Sequence, residues 1–133
     1  MNTAEIEPFC RENNVELFVL FGSHARGTVH PKSDIDVAIK IKRGASVSKL
    51  DLLFRLGGIL GDKEIDLVVL ADDTDPLLLY EIFMNGQALY EERKGIFMEE
   101  KLRAWKLYLD TERLRKMQRD HLRKFGEKTS NVA

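Results

Sequence analysis

Residues 15–41 read VELFVLFGSHARGTVHPKSDIDVAIKI. The first seven, Val15 to Phe21, are a nearly continuous apolar run of strand formers. Gly22-Ser23 stops that run, and Asp34 to Ile41 resumes as a second strand with Val37, Ile39 and Ile41 alternating against Ala38 and Lys40. Outward from this pair, Thr3 to Asn13 carries Ile6, Phe9 and Cys10 on one helical face. Ser48, followed three residues later by Asp51, caps a helix that runs to Gly61. Ile65 to Leu70 is expected to be a third, buried strand. Asp75-Pro76 is an N-cap and first-turn proline for a helix that stops at Asn85-Gly86, and Ala88 to Tyr90 forms a short edge strand. Strands alternating with helices predict an α/β domain of about three to five strands.

The linker between the first two strands carries the chemistry. Residues i and i+2 of a strand point to one face, about 6.6 Å apart, so Asp34 and Asp36 project together with Ile35 opposite. Two such carboxylates repel unless a cation bridges them, and hard oxygen ligands suit Mg²⁺. Asp66 opens the third strand and can align beside them. Three carboxylates on neighbouring strands are what a two-metal phosphoryl-transfer site needs, its ions roughly 3.5–4 Å apart. Gly22 lets backbone N–H groups approach a triphosphate, Ser23 adds a hydroxyl donor, and Arg26 can neutralise phosphate charge. Taken singly, Gly22-Ser23 is only a turn and Arg26 only a surface charge; the aspartate pair on the following strand gives them meaning. Neither GxxxxGK[ST] nor GxGxxG occurs.

Composition narrows the classes. The 133 residues are 44% hydrophobic and 32% charged, with a net charge of −1, as in a one-domain globular protein. No apolar run approaches the roughly 20 residues that span a bilayer, and residues 1–11 lack the pattern of a secretory signal. The single cysteine, Cys10, points to a reducing cytoplasm, and with three scattered histidines it makes a structural zinc site a poor reading. The charge is divided: residues 1–92 carry 9 Lys+Arg against 16 Asp+Glu, net −7, and residues 93–133 carry 12 against 6, net +6.

Gly22-Ser23-x-Ala25-Arg26-Gly27, then Ser33-Asp34-x-Asp36, then Asp66 after a helix, resembles the nucleotidyltransferase superfamily related to DNA polymerase β, and in particular its minimal (MNT) branch. The resemblance spans about residues 15–90. It implies a small mixed-sheet fold with flanking helices, a minimal nucleotidyltransferase domain over 1–93, and two Mg²⁺ ions on Asp34, Asp36 and Asp66. It further implies a triphosphate held by Gly22, Ser23, Arg26 and Ser33, with Asp66 helping to activate the acceptor hydroxyl. His24 stands where many relatives have Arg or another polar residue, which leaves its role open. MNT proteins are often antitoxins that adenylylate a tyrosine of a HEPN-domain ribonuclease toxin. The resemblance thus implies an ATP-dependent protein adenylyltransferase with a HEPN partner. A toxin-binding antitoxin without catalysis and a small-molecule or RNA nucleotidyltransferase are the alternatives.

Residues 94–126 extend beyond that domain as one long helix, with 127–133 as a frayed tail. Met98, Leu102, Trp105 and Leu109 form one stripe, expected to lie on the domain, and Leu114, Met117, His121 and Phe125 continue it with a drift. The basic residues of the second half are expected all round the helix, against a protein partner rather than nucleic acid or membrane.

Overall fold

The computed structural model describes residues 3–22, 34–61 and 64–130, with side chains through Gly126. A 3₁₀ turn, Thr3–Glu5, leads into α1 (Ile6–Glu12). Its last carbonyls are closed by Asn13, whose N–H and Nδ2 both donate to Phe9 O at 3.1 and 2.8 Å. Asn14 then turns the chain in the left-handed conformation (φ 57°), which Asn tolerates better than most residues. Strands β1 (Val15–Phe21) and β2 (Ile35–Ile41), helix α2 (Lys49–Leu60) and strand β3 (Ile65–Val69) follow. Helix α3 (Pro76–Asn85), strand β4 (Gln87–Glu91) and the 35-residue helix α4 (Ile96–Ser130) complete the chain.

The predicted caps are made. Asp51 N–H donates to Ser48 Oγ at 3.3 Å, and Leu77 N–H donates to Asp75 Oδ1 at 2.9 Å with Pro76 in the first turn. Among the described residues the sheet has four strands in the order β3-β2-β1-β4, so β3, expected to be buried, stands at an end of the order with only Leu67 buried. β1 pairs antiparallel with β2 and β4, while β2 and β3 run parallel, joined by α2 as a parallel pair requires.

Both faces of the sheet are covered, which is why β1 reads as an unbroken apolar run. Phe18, Leu20, Val37, Ile39 and Leu67 meet α1 and α2 on one side. Leu17, Val19, Phe21 and Ala38 meet Leu79, Ile82 and Phe83 of α3 and Ile96 and Ala104 of α4 on the other. Phe83 packs on Phe97 with ring centroids 5.5 Å apart, and Tyr80 stacks on Tyr108 at 4.0 Å and on Trp105 at 6.3 Å.

Helix α4 departs from the expected stripe. Met98, Leu102, Trp105 and Leu109 are 53, 62, 45 and 44% exposed, and the face against the sheet is Ile96, Phe97, Glu100, Ala104 and Leu107. The cause is a close approach at Ala104, 1% exposed, together with an anchor at Glu100, whose carboxylate accepts from Lys40 Nζ at 2.8 Å. A count of large apolar residues misses a face built on a small residue and an ion pair. The helix also starts on a lock: Phe97 N–H donates to Glu91, and Arg93 forks onto Glu99 with two 2.9 Å bonds.

Candidate active site

β1 and β2 meet at Phe21↔Asp36, and β2 and β3 meet at Asp36↔Asp66. Successive side chains of a strand alternate in face. Val37 and Ile39 belong to the α1/α2 side, whereas Ala38 packs against α3 and α4 and Lys40 reaches Glu100 of α4. Asp36 therefore shares the α3/α4 face. By the same alternation Leu67 lies on the α1/α2 side and Val68 on the other, so Asp66 shares the face of Asp36. Adjacent strands lie about 4.8 Å apart, which sets these two carboxylates side by side at the N-terminal ends of parallel strands. Asp36 is half-buried and Asp66 exposed.

Gly22 completes the corner. It ends β1 with φ +74°, and a Cβ built on it would stand 3.0 Å from the Asp36 Cγ and 3.3 Å from its Cβ, closer still to Oδ2. Any side chain there would displace the carboxylate, and the positive φ adds a second reason for glycine. The space beside Gly22 is thus taken by the Asp36 carboxylate, whereas the sequence reading had assigned the open backbone of this glycine to phosphates.

Asp34 precedes β2 by one residue and is exposed. Ile35 N–H donates to Glu64 O at 2.8 Å, tying this entry to β2 to the start of β3. Among the described residues, no group of three or more His, Cys, Asp or Glu side chains is gathered closely enough to hold a metal ion. Asp36 and Asp66 are brought together; Asp34 stands at the rim. Ser23, Arg26 and Ser33, like His24, lie outside the described residues. The donor chemistry still fits Mg²⁺, which takes one or two carboxylates and completes its shell with substrate phosphates and water.

A cleft of about 420 Å³ opens elsewhere, lined by Glu16, Lys40, Arg43, Asp72, Glu100 and Arg103 among others. Lys40 lies four residues along β2 from Asp36, about 13 Å at strand spacing. Its Nζ sits 2.8 Å from Glu100 and 3.5 Å from Glu16. Desolvation lowers the Lys40 pKa, but the bonds and charges of Glu100 and Glu16 outweigh it, so the ammonium is held above its ordinary range. This end fastens α4 to the sheet. Sequence reading missed it, although Lys40 at an inward position of a buried strand was the available signal.

The model of the polymerase beta nucleotidyltransferase family matches residues 4–95, and the chain belongs to that family. Among characterised relatives it is 30% identical over 93 residues to the protein adenylyltransferase MntA of Shewanella oneidensis; the match covers 68% of this chain and 66% of that protein, just under two thirds of its length. The fold is similar to a chain of a toxin–antitoxin complex with AMP-PNP (TM-score 0.74, 24% identity, 92% of this chain and 98% of that one). It also resembles a chain of the complex between tri-AMPylated Shewanella oneidensis HEPN toxin and MNT antitoxin (TM-score 0.66, 21% identity, 90% and 94%). Within the described residues, no helix is long and apolar enough to cross a membrane.

Proposed function

We propose that this chain is an antitoxin of the HEPN/MNT type, a cytoplasmic protein adenylyltransferase that moves AMP from ATP to a tyrosine of its HEPN toxin. The observation that carries the reading is the register of Asp36 with Asp66 beside the Gly22 notch, in a chain of the nucleotidyltransferase family. The likeness to an adenylyltransferase and to toxin–antitoxin complexes supplies substrate and partner. Residues 1–93 are assigned to transfer and residues 94–126 to a helical extension.

In this reading the tyrosine hydroxyl oxygen attacks the α-phosphorus of ATP, the bond to the β-phosphate breaks, and pyrophosphate leaves. Asp66, exposed at the mouth of β3, takes the hydroxyl proton. Gly22, Ser23, Arg26 and Ser33 are assigned to the nucleotide from the sequence motif, and Gly22 also makes room for the Asp36 carboxylate. Asp34, Asp36 and Asp66 are the residues that would hold Mg²⁺, two ions in this reading, which when bound neutralise charge on the triphosphate. The test is incubation of the full chain with labelled ATP, Mg²⁺ and a HEPN-domain toxin. Label on a toxin tyrosine, abolished by Asp36→Asn, is the expected result; an unlabelled toxin overturns the reading.

A further inference from the structure

Helix α4 is about 52 Å long at 1.5 Å per residue, whereas a domain of about 95 residues is some 30–35 Å across. From Glu112 to Arg119 and again from His121 to Gly126 every residue is exposed. This distal half is sorted by chemistry. At about 100° per residue, Leu114, Met117, His121, Leu122 and Phe125 fall within a sector of roughly 140°. The basic residues Arg113, Arg115, Lys116, Arg119, Arg123 and Lys124 all fall in the remainder, bordering the apolar sector on both sides rather than encircling the helix. Leu114, Met117, Gln118, His121 and Leu122 line one common surface patch, in which Gln118 is the amide inside the apolar sector, and Leu114, Met117 and Leu122 are 58, 59 and 66% exposed. Asp120 is the one acid of residues 113–126, and it lies 3.7 Å from Arg123.

The apolar sector continues the side of α4 that faces the sheet, past the point where the domain ends. It is not the outward stripe of Met98 and Leu102. A helical stretch of this length is marginal in water by itself, so burial of that face against a second surface is what would hold it. The helix is also part of the shared fold: a match covering 92% of the chain extends well beyond the 4–95 family region.

We infer that residues 113–125 are the docking helix for the toxin partner, seated in an apolar groove of that protein whose edges carry Asp and Glu. The inference rests on the function proposed above and adds the surface and its chemistry. The apolar sector supplies the buried contact, and the basic borders select an acidic rim and speed encounter.

The experiment uses the full chain with Leu114→Glu and Met117→Glu together, with Arg119→Glu and Arg123→Glu as a second variant and Met98→Glu on the opposite face as control. Both sites are exposed, so helicity by circular dichroism and ATP binding should stay as in the parent. Binding of the HEPN-domain toxin that the parent chain binds is expected to weaken about tenfold or more in both distal variants and to stay unchanged in the control. The parent affinity should fall as salt rises. Distal variants that bind and modify the toxin as the parent does overturn the docking assignment alone. A parent chain that neither binds nor labels the toxin overturns the proposed function, and this inference with it. Binding of an RNA oligonucleotide or of phosphatidylglycerol vesicles that is lost in the distal variants, with toxin binding retained, assigns the helix to those ligands and also overturns the proposal.

Discussion

Gly22 and Asp36 share one small volume at the end of β1, such that the carboxylate of one fills the place where a side chain of the other would be. Gly22→Ala should therefore act twice. The positive φ costs about 1 kcal/mol or more in a non-glycine residue, which thermal unfolding will read as a lower Tm. The displaced carboxylate should cut nucleotidyl transfer by about tenfold or more. A variant with a lowered Tm but parent-like transfer would show that the position of Asp36 is not critical.

The pairing of Asp36 with Asp66 separates two roles. Asp66→Asn should lower kcat by about 10²-fold or more while ATP affinity changes little, the signature of a group acting on the acceptor hydroxyl. Asp34→Ala with Asp36→Ala should abolish Mg²⁺-dependent transfer and leave the fold standing, since one of the two is exposed and the other half-buried. Transfer kinetics and ATP titrations on the same preparations check both.

The lock between β2 and α4 predicts a stability effect remote from the carboxylates. Lys40→Met leaves Glu100, whose side chain is 13% exposed, without its 2.8 Å partner. The expected loss is about 1–3 kcal/mol in denaturant unfolding. Glu100→Gln in the same chain should recover part of it, because the charge then left with only the 3.5 Å contact to Arg103 is gone. ATP binding should be unchanged, Lys40 lying four positions along the strand from Asp36.

Cys10 gives a pH prediction. Burial, with the Glu7 carboxylate adding to it, pushes its thiol from 9.0 up to about 12. The native chain thus keeps a proton that the unfolded chain releases above 9.0, so stability falls as pH rises from 9.0 toward 12. Cys10→Ala should flatten the cysteine part of that slope. Iodoacetamide at mildly alkaline pH should label the native thiol only as fast as the chain opens, because Cys10 is wholly buried.

Much of this was legible because local chemistry and global fold agree. The continuous run of β1, the serine and aspartate caps of α2 and α3, and the double-aspartate start of β2 each mark their element with no help from tertiary context. The partnership of Asp36 with Asp66 was also readable, since a parallel β2–α2–β3 unit leaves few registers. The inward face of α4 was not. It depends on Ala104, which carries little hydrophobic signal, and on Glu100, which reads as solvent-facing until Lys40 is placed beneath it. The contact of Gly22 with Asp36 was half legible: a glycine there suggested open backbone, but only the antiparallel pairing of Phe21 with Asp36 shows which side chain claims the space.

Strand β2 lies inside the sheet, with Ile35, Val37 and Ile39 committed to one side and Asp36 and Ala38 to the other. A slip of one residue against β3 would turn Asp36 into the apolar core of Phe18 and Leu56 and move Ile35 and Val37 to the α3/α4 side. Val37, Ile39 and Leu67 consequently act as a vernier for groups they never touch. Errors in their packing would be read out as misaligned carboxylates, so fidelity of the chemistry is under the same selection as fidelity of folding.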